Sequence, residues 1–207
     1  IGGAKGQAAQ LFQFSDDTFR SIEVEVFDQD KLSEDSDIAL FDCDNDGDLD
    51  IYIASGGRAF SKSSSALNDR LYLNQGNFHF TKAELSFGDF FSTSSVSVFD
   101  YDQDGDLDLI ATERFHPFRY GDKVRAYLMH NNGDGVFTDV TKEVAPGFLN
   151  LNMITDSQTG DIDGDGDDDI VIASDWDNIK VFINEAGIFT EQTEKLNLSY
   201  TKGWWHT

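Results

Sequence analysis

DIDGDGDDDIVIAS (161–174) is the third occurrence of one pattern, which opens as DCDNDGDLDIYIAS (42–55) and returns as DYDQDGDLDLIATE (100–113). Nine residues read D-x-D-x-D-G-D-x-D, and an apolar run follows at once. The starts lie 58 and 61 residues apart. That period is far too long for a coiled coil or an ankyrin array. It suits one four-stranded propeller blade, somewhat longer than the ~40–50 residues of WD40 or kelch repeats.

The flanking residues repeat the same strand grammar. SDIALF (36–41), SSVSVF (94–99) and DSQTGD (156–161) precede the three loops, and LDIYIAS, LDLIATE and DIVIAS leave them. RLYLNQG (70–76), RAYLMHNNG (125–133) and IKVFINEAG (179–187) form a third run, and NFHFTKA (77–83), VFTDVTK (136–142) and IFTEQTE (188–194) a fourth. Ile, Val, Tyr and Phe alternate with polar residues through these runs, with Asn and Gly between the third and fourth, as in hairpins. No helical periodicity is of comparable strength. The expected fold class is all-β, a single domain over 1–207 built of four-stranded antiparallel propeller blades. Repeats fall at 36–93, 94–153 and 154–196, with partial units at 1–35 and 197–207. Residues 1–27 match the latter part of a unit, and GWWHT (203–207) reads as the first strand of another. The partial ends would either pair and close the ring or belong to a larger propeller. Open strand edges would otherwise pair with other chains or with missing blades.

The loops are built for a hard cation. Ca²⁺ takes six to eight oxygen ligands, and acids at alternate positions of a tight loop point inward. The first loop offers Asp42, Asp44, Asp46 and Asp50, the second Asp100, Asp102, Asp104 and Asp108, the third Asp161, Asp163, Asp165 and Asp169. Position six is Gly47, Gly105 or Gly166, for the sharp reversal. Asp48, Asp106 and Asp167 hold position seven, where the backbone oxygen is the expected ligand, and position nine is expected to bind in bidentate fashion. Asp and Gly also make ordinary turns, but that does not explain five alternating acids repeated three times in register. Three Ca²⁺ sites are therefore expected. Mg²⁺ prefers rigid octahedra with several waters, and Zn²⁺ wants Cys and His. An EF-hand would need a bidentate Glu at position twelve and flanking helices; here that position is Ile53, Ala111 or Ile172, inside strand-like runs.

DIDGDGDDDIVIAS and its partners resemble the FG-GAP/VCBS repeats of integrin-α-type β-propellers. RLYLNQGNF, NNGDGVFTDVT and GWWHT resemble the bacterial ASPIC-associated members of that group. The resemblance implies calcium on the hairpins of one propeller face, commonly seven blades, a secreted or cell-surface location, and a role in binding.

Composition narrows the partners. The chain has 39 acids against 15 bases, for a net charge of −24. Nucleic acid, whose phosphates demand a basic surface, is excluded, as is an anionic membrane surface. No stretch approaches the roughly 18 apolar residues of a membrane span. Cys43 is the sole cysteine, so no internal disulfide forms. The chain opens at Ile1 and reads as a piece of something longer.

A binding or scaffold module for a protein or glycan is the leading expectation. Arg58, Phe60, His116, Phe118, Arg119, Tyr120 and Trp176, on the second-to-third-strand connections, would suit such a partner or else pack between blades. Trp204 and Trp205 are expected in the core of a further blade. The rival is a propeller-based polysaccharide lyase or hydrolase. None of His79, His116, His130 and His206 falls in a metal or nucleophile motif, G-x-S-x-G is absent, and the acidic pairs that could serve a glycosidase are mostly claimed by calcium in the loops.

Overall fold

β-Branched and aromatic residues favour the pleated, doubly buried environment of a stacked sheet, and in a computed structural model of the chain each of the twelve runs contributes a strand. Residues 1–57, 60, 61, 63–85, 92–116 and 119–205 are described. The hairpin β1 (Leu11–Ser15) and β2 (Thr18–Ile22) comes first. The first blade is β3 (Glu34–Phe41), β4 (Asp50–Gly56), β5 (Arg70–Asn74) and β6 (Phe80–Ala83). The second is β7 (Thr93–Phe99), β8 (Asp108–Glu113), β9 (Ala126–Asn131) and β10 (Phe137–Asp139). The third is β11 (Ile154–Gly160), β12 (Asp169–Asp177), β13 (Lys180–Glu185) and β14 (Ile188–Glu191). Each blade is antiparallel, with strands in sequence order.

Period-two alternation buries both faces of a blade. Ile51 and Ile53 pack with Phe27, Tyr72 and Phe80 towards the β1–β2 hairpin. Tyr52 and Ala54 on the opposite face meet Leu109, Ala111, Tyr127 and Met129 of the second blade. Ile110 turns the other way and joins Ile170, Ile172, Phe182 and Phe189 of the third. Polar contacts tie the first strands of successive blades. Val96 N–H donates to Asp37 Oδ2 at 2.9 Å, and Ser97 Oγ donates to the Ser157 carbonyl at 2.9 Å. The blades thus stack face to face with β3, β7 and β11 side by side.

Three expectations are revised. VFTDVTK is strand only to Asp139; Thr141–Val144 is a single helical turn, secured where Thr141 Oγ1 donates to Asp139 Oδ1 and accepts from Leu128 N–H. Gly203–Trp204 (β15) starts no new sheet but pairs with the far end of β12. Trp204 and Trp205 are consequently exposed rather than core residues. Among the described residues no strand of the first unit pairs with one of the last.

Candidate metal centres

Each acidic loop joins the first two strands of a blade. Gly47, Gly105 and Gly166 have φ of +91°, +96° and +100°, a conformation that side chains resist. Position one then collects the loop's amides. Asp42 Oδ1 and Oδ2 accept from Asp46 N–H at 3.2 Å and Gly47 N–H at 3.0 Å. Asp100 repeats both bonds with Asp104 and Gly105, and Asp161 accepts from Gly164 and Gly166. Position five accepts the position-seven N–H at 2.9 Å in all three loops.

Position nine is fully buried in every blade. Asp50 accepts from Cys43 N–H at 2.9 Å and Asn74 N–H at 2.7 Å, one on each oxygen. Asp108 does the same with Tyr101 and Asn131, and Asp169 with Ile162 and Asn184. Position nine therefore ties the loop to the third strand, leaving the second lone pair of each oxygen for a cation.

Carboxylate oxygens of Asp42, Asp44 and Asp50 lie within 4.8 Å of one another, as do those of Asp161, Asp163 and Asp169, and of Asp100, Asp102 and Asp104. Two ligands on opposite sides of Ca²⁺ stand about 4.6–5.2 Å apart, so these spacings fit that ion. Asp46 and Asp165 fall outside the tight groups. Among the described residues Asp44 Oδ1 is buried without a hydrogen-bond partner, a group that a bound cation would satisfy. Desolvation, then Asp50 and Asp46, raises the Asp44 carboxyl above its ordinary range. Asp163 is raised likewise, by desolvation and then by Asp165 and Asp169. Burial pushes Asp108 up to about 7 against the opposing pull of two amides. The donor set and the spacing, with the orphaned oxygen of the first loop, fit a hard dication, which Asp42, Asp44 and Asp50, Asp100, Asp102 and Asp104, and Asp161, Asp163 and Asp169 would hold.

Position seven has another use for its side chain. Asn45 Nδ2, at position four of the first loop, donates to Asp106 Oδ1 at 2.7 Å in the second. Gln103 Nε2 reaches Asp167 Oδ1 at 2.5 Å and the Gly166 carbonyl at 2.9 Å in the third. Successive loops are thus linked, side chain to side chain. A further set of residues carries no acidic signature. Asn74 and Asn131 end their third strands and Asn184 is the next-to-last residue of its own, and Asn131 Nδ2 and Asn184 Nδ2 donate to the Cys43 and Tyr101 carbonyls of the preceding loop at 2.8 and 2.7 Å. The signal was an asparagine in register in RLYLN, YLMHN and VFIN; read as turn residues, these gave no hint of a reach across blades.

The far ends of the second strands carry the other candidates. Phe60 is buried with Lys5 Nζ 4.7 Å from its ring centroid, so it packs. Arg119 pairs with Asp122, and His116 Nδ1 lies 2.8 Å from Oε1 of the buried Glu113. Burial raises that glutamate, opposed by His116 and Arg125. Tyr120, Trp176 and Trp204 are 58, 45 and 67% exposed, with Trp176 at 5.7 Å from each of the other rings. Trp176 has φ +60° and sits at a register shift between Asp175 and Asp177, which turns it outward. Arg58, Phe118 and His206 lie outside the described residues.

A family model for the FG-GAP-like repeat matches residues 42–111 and 119–172, more than half of the chain. Comparison with curated proteins gives no match.

Proposed function

Because the chain belongs to the FG-GAP-like repeat family, we propose that it is a calcium-stabilised propeller module that binds a protein or glycan partner on an exported or cell-surface bacterial protein. The observation that carries this reading is the division of labour between the two ends of the blades. Tight carboxylate groups with an orphaned oxygen gather where strands one and two meet. At the opposite end, the strained Trp176 and its neighbours Tyr120 and Trp204 expose aromatic rings. A bulky residue held at positive φ costs about 1–3 kcal/mol and is retained where the surroundings or a ligand repay it. Exposed aromatic rings suit the apolar face of a sugar or a protein edge.

The ions serve the fold in this reading. At free calcium tenfold above the dissociation constant, each adds about 1.4 kcal/mol by mass action. Three such ions matter to a net stability of roughly 5–15 kcal/mol. Thermal unfolding in calcium and in EDTA tests this: a melt unmoved by chelation sinks the calcium reading. A glycan and protein binding screen with Trp176→Ala as control tests the recognition end. One observation favours a second reading, a carbohydrate-active enzyme: the Glu113–His116 pair at that same end. Product formation from a polysaccharide, abolished in His116→Ala, would establish it; saturable binding without products supports the module.

A further inference from the structure

Leu73, His130 and Ile183 occupy one equivalent place, directly before the asparagine at or next to the end of the third strand of each blade. Only the second blade puts a nitrogen donor there. His130 is 31% exposed, but its Nδ1 is buried and, among the described residues, makes no hydrogen bond. It lies 3.4 Å from Asp108 Oδ1 and 3.6 Å from Asp102 Oδ2. An ion pair closed by a protonated imidazole would sit at about 2.7–2.9 Å, so neither contact is a formed charge-assisted bond. The spacing is instead that of donors sharing one small ion, which at metal–ligand distances of ~2.0–2.2 Å stand roughly 3.0–3.6 Å apart. The Tyr101 ring meets the imidazole edge-on, with centroids 5.9 Å apart at 88°, and limits its rotation. The ligand groups differ accordingly: position nine joins positions one and three in loops one and three, whereas in loop two positions one, three and five group together and Asp108 groups instead with Asp102 and His130.

We propose that the second loop is a mixed nitrogen–oxygen site, in which His130 Nδ1 joins Asp102 and Asp108 and selects a first-row transition dication, while loops one and three are all-oxygen sites. This rests on the reading that the loops hold cations. Imidazole suits borderline-soft ions such as Co²⁺, Ni²⁺ and Zn²⁺, and calcium takes oxygen. Leucine and isoleucine at the equivalent place give the other loops no such preference.

Co²⁺ titrated into the calcium-loaded chain tests it, followed by visible absorption and by the paramagnetically shifted imidazole signal in proton NMR. One equivalent is expected to enter ahead of any other and to give a single shifted imidazole signal. In His130→Leu, which installs the first blade's residue, that signal disappears. Co²⁺ affinity at the site falls at least about tenfold, the loss of a ligand costing no less than that of an outer-shell partner, and calcium stays bound at loops one and three. Leu73→His, placing an imidazole beside Asp44 and Asp50, should create a second shifted signal, which keeps the test open should His130→Leu fold poorly. Co²⁺ bound without an imidazole signal, a signal that survives His130→Leu, or calcium binding with no Co²⁺ preference overturns this inference alone. Failure of both ions to bind overturns it together with the calcium reading.

Discussion

Asn131 Nδ2 donates to the carbonyl oxygen of Cys43 at 2.8 Å, joining the third strand of the second blade to the acidic loop of the first. The same amide also reaches the Leu107 carbonyl at 3.0 Å, so one side chain serves two loops. Asn131→Ala leaves a buried acceptor short of its donor and is expected to cost about 2–3 kcal/mol. Asn74→Ala is the control: among the described residues its side-chain nitrogen serves only its own loop, at Leu49. It should cost about half as much. Urea unfolding at saturating calcium measures both, and equal losses would remove the cross-blade role assigned to Asn131.

Gly133 is the other fixed point of this junction. It has φ +79°, and a Cβ there would lie 2.6 Å from Asp106 Oδ2. Gly133→Ala should push the Asp106 carboxylate away from Asn45 and break the link between loops one and two. Gly121→Ala has a similar φ of +89° and open space around it, so it carries backbone strain alone, about 1–2 kcal/mol. Gly133→Ala is expected to exceed it by about 1.5 kcal/mol, the lower end of the worth of a hydrogen bond to a charged group, since this one is exposed. Equal destabilisation would mean that the loop-to-loop bond contributes nothing.

What the sequence disclosed and what it withheld divide along these contacts. The strands and the nearness of Asp42, Asp44 and Asp50 are local chemistry, written in spacings of two to eight residues, and the blade period is the recurrence of that local pattern. The tie between Asn45 and Asp106 spans 61 residues, and that between Asn131 and Cys43 spans 88. Such contacts depend on how blades are stacked, which no short spacing encodes. Gly203–Trp204 illustrates the same limit: its apolar run reads as a strand, which it is, but whether it opens a new sheet or lengthens β12 is decided by tertiary packing.

Cys43 offers a probe of that stacking. The thiol is buried between the first two blades, and burial, followed by its hydrogen bond and charge repulsion with Asp50, pushes its pKa far above the ordinary range. A thiol held protonated and covered does not react. The native chain should therefore resist a thiol reagent and label only when the blades part. Under the calcium reading, labelling slows further with added calcium. Rapid labelling of the folded chain would show that the first and second blades separate freely.

Asp69 gives a pH dependence outside the acidic loops. Its buried carboxyl accepts from Tyr52 Oη, Ser55 N–H and Thr93 Oγ1. Burial nonetheless outweighs these bonds and the nearby Arg70, raising it from 3.8 to about 6. The folded chain therefore holds a proton that the unfolded chain has released between those values. The stability from this group is fully present below pH 3.8 and is lost as pH rises through about 6, by up to roughly 3 kcal/mol. Asp69→Asn, whose amide can still face Thr93 and Tyr52, should lack that decline. The loop carboxylates titrate as well, so the difference between wild type and variant, both in EDTA, isolates Asp69. That difference should shift in the variant's favour between pH 4 and pH 7; a constant offset would mean that Asp69 is ionised throughout, its four short hydrogen-bond contacts outweighing the cost of burial.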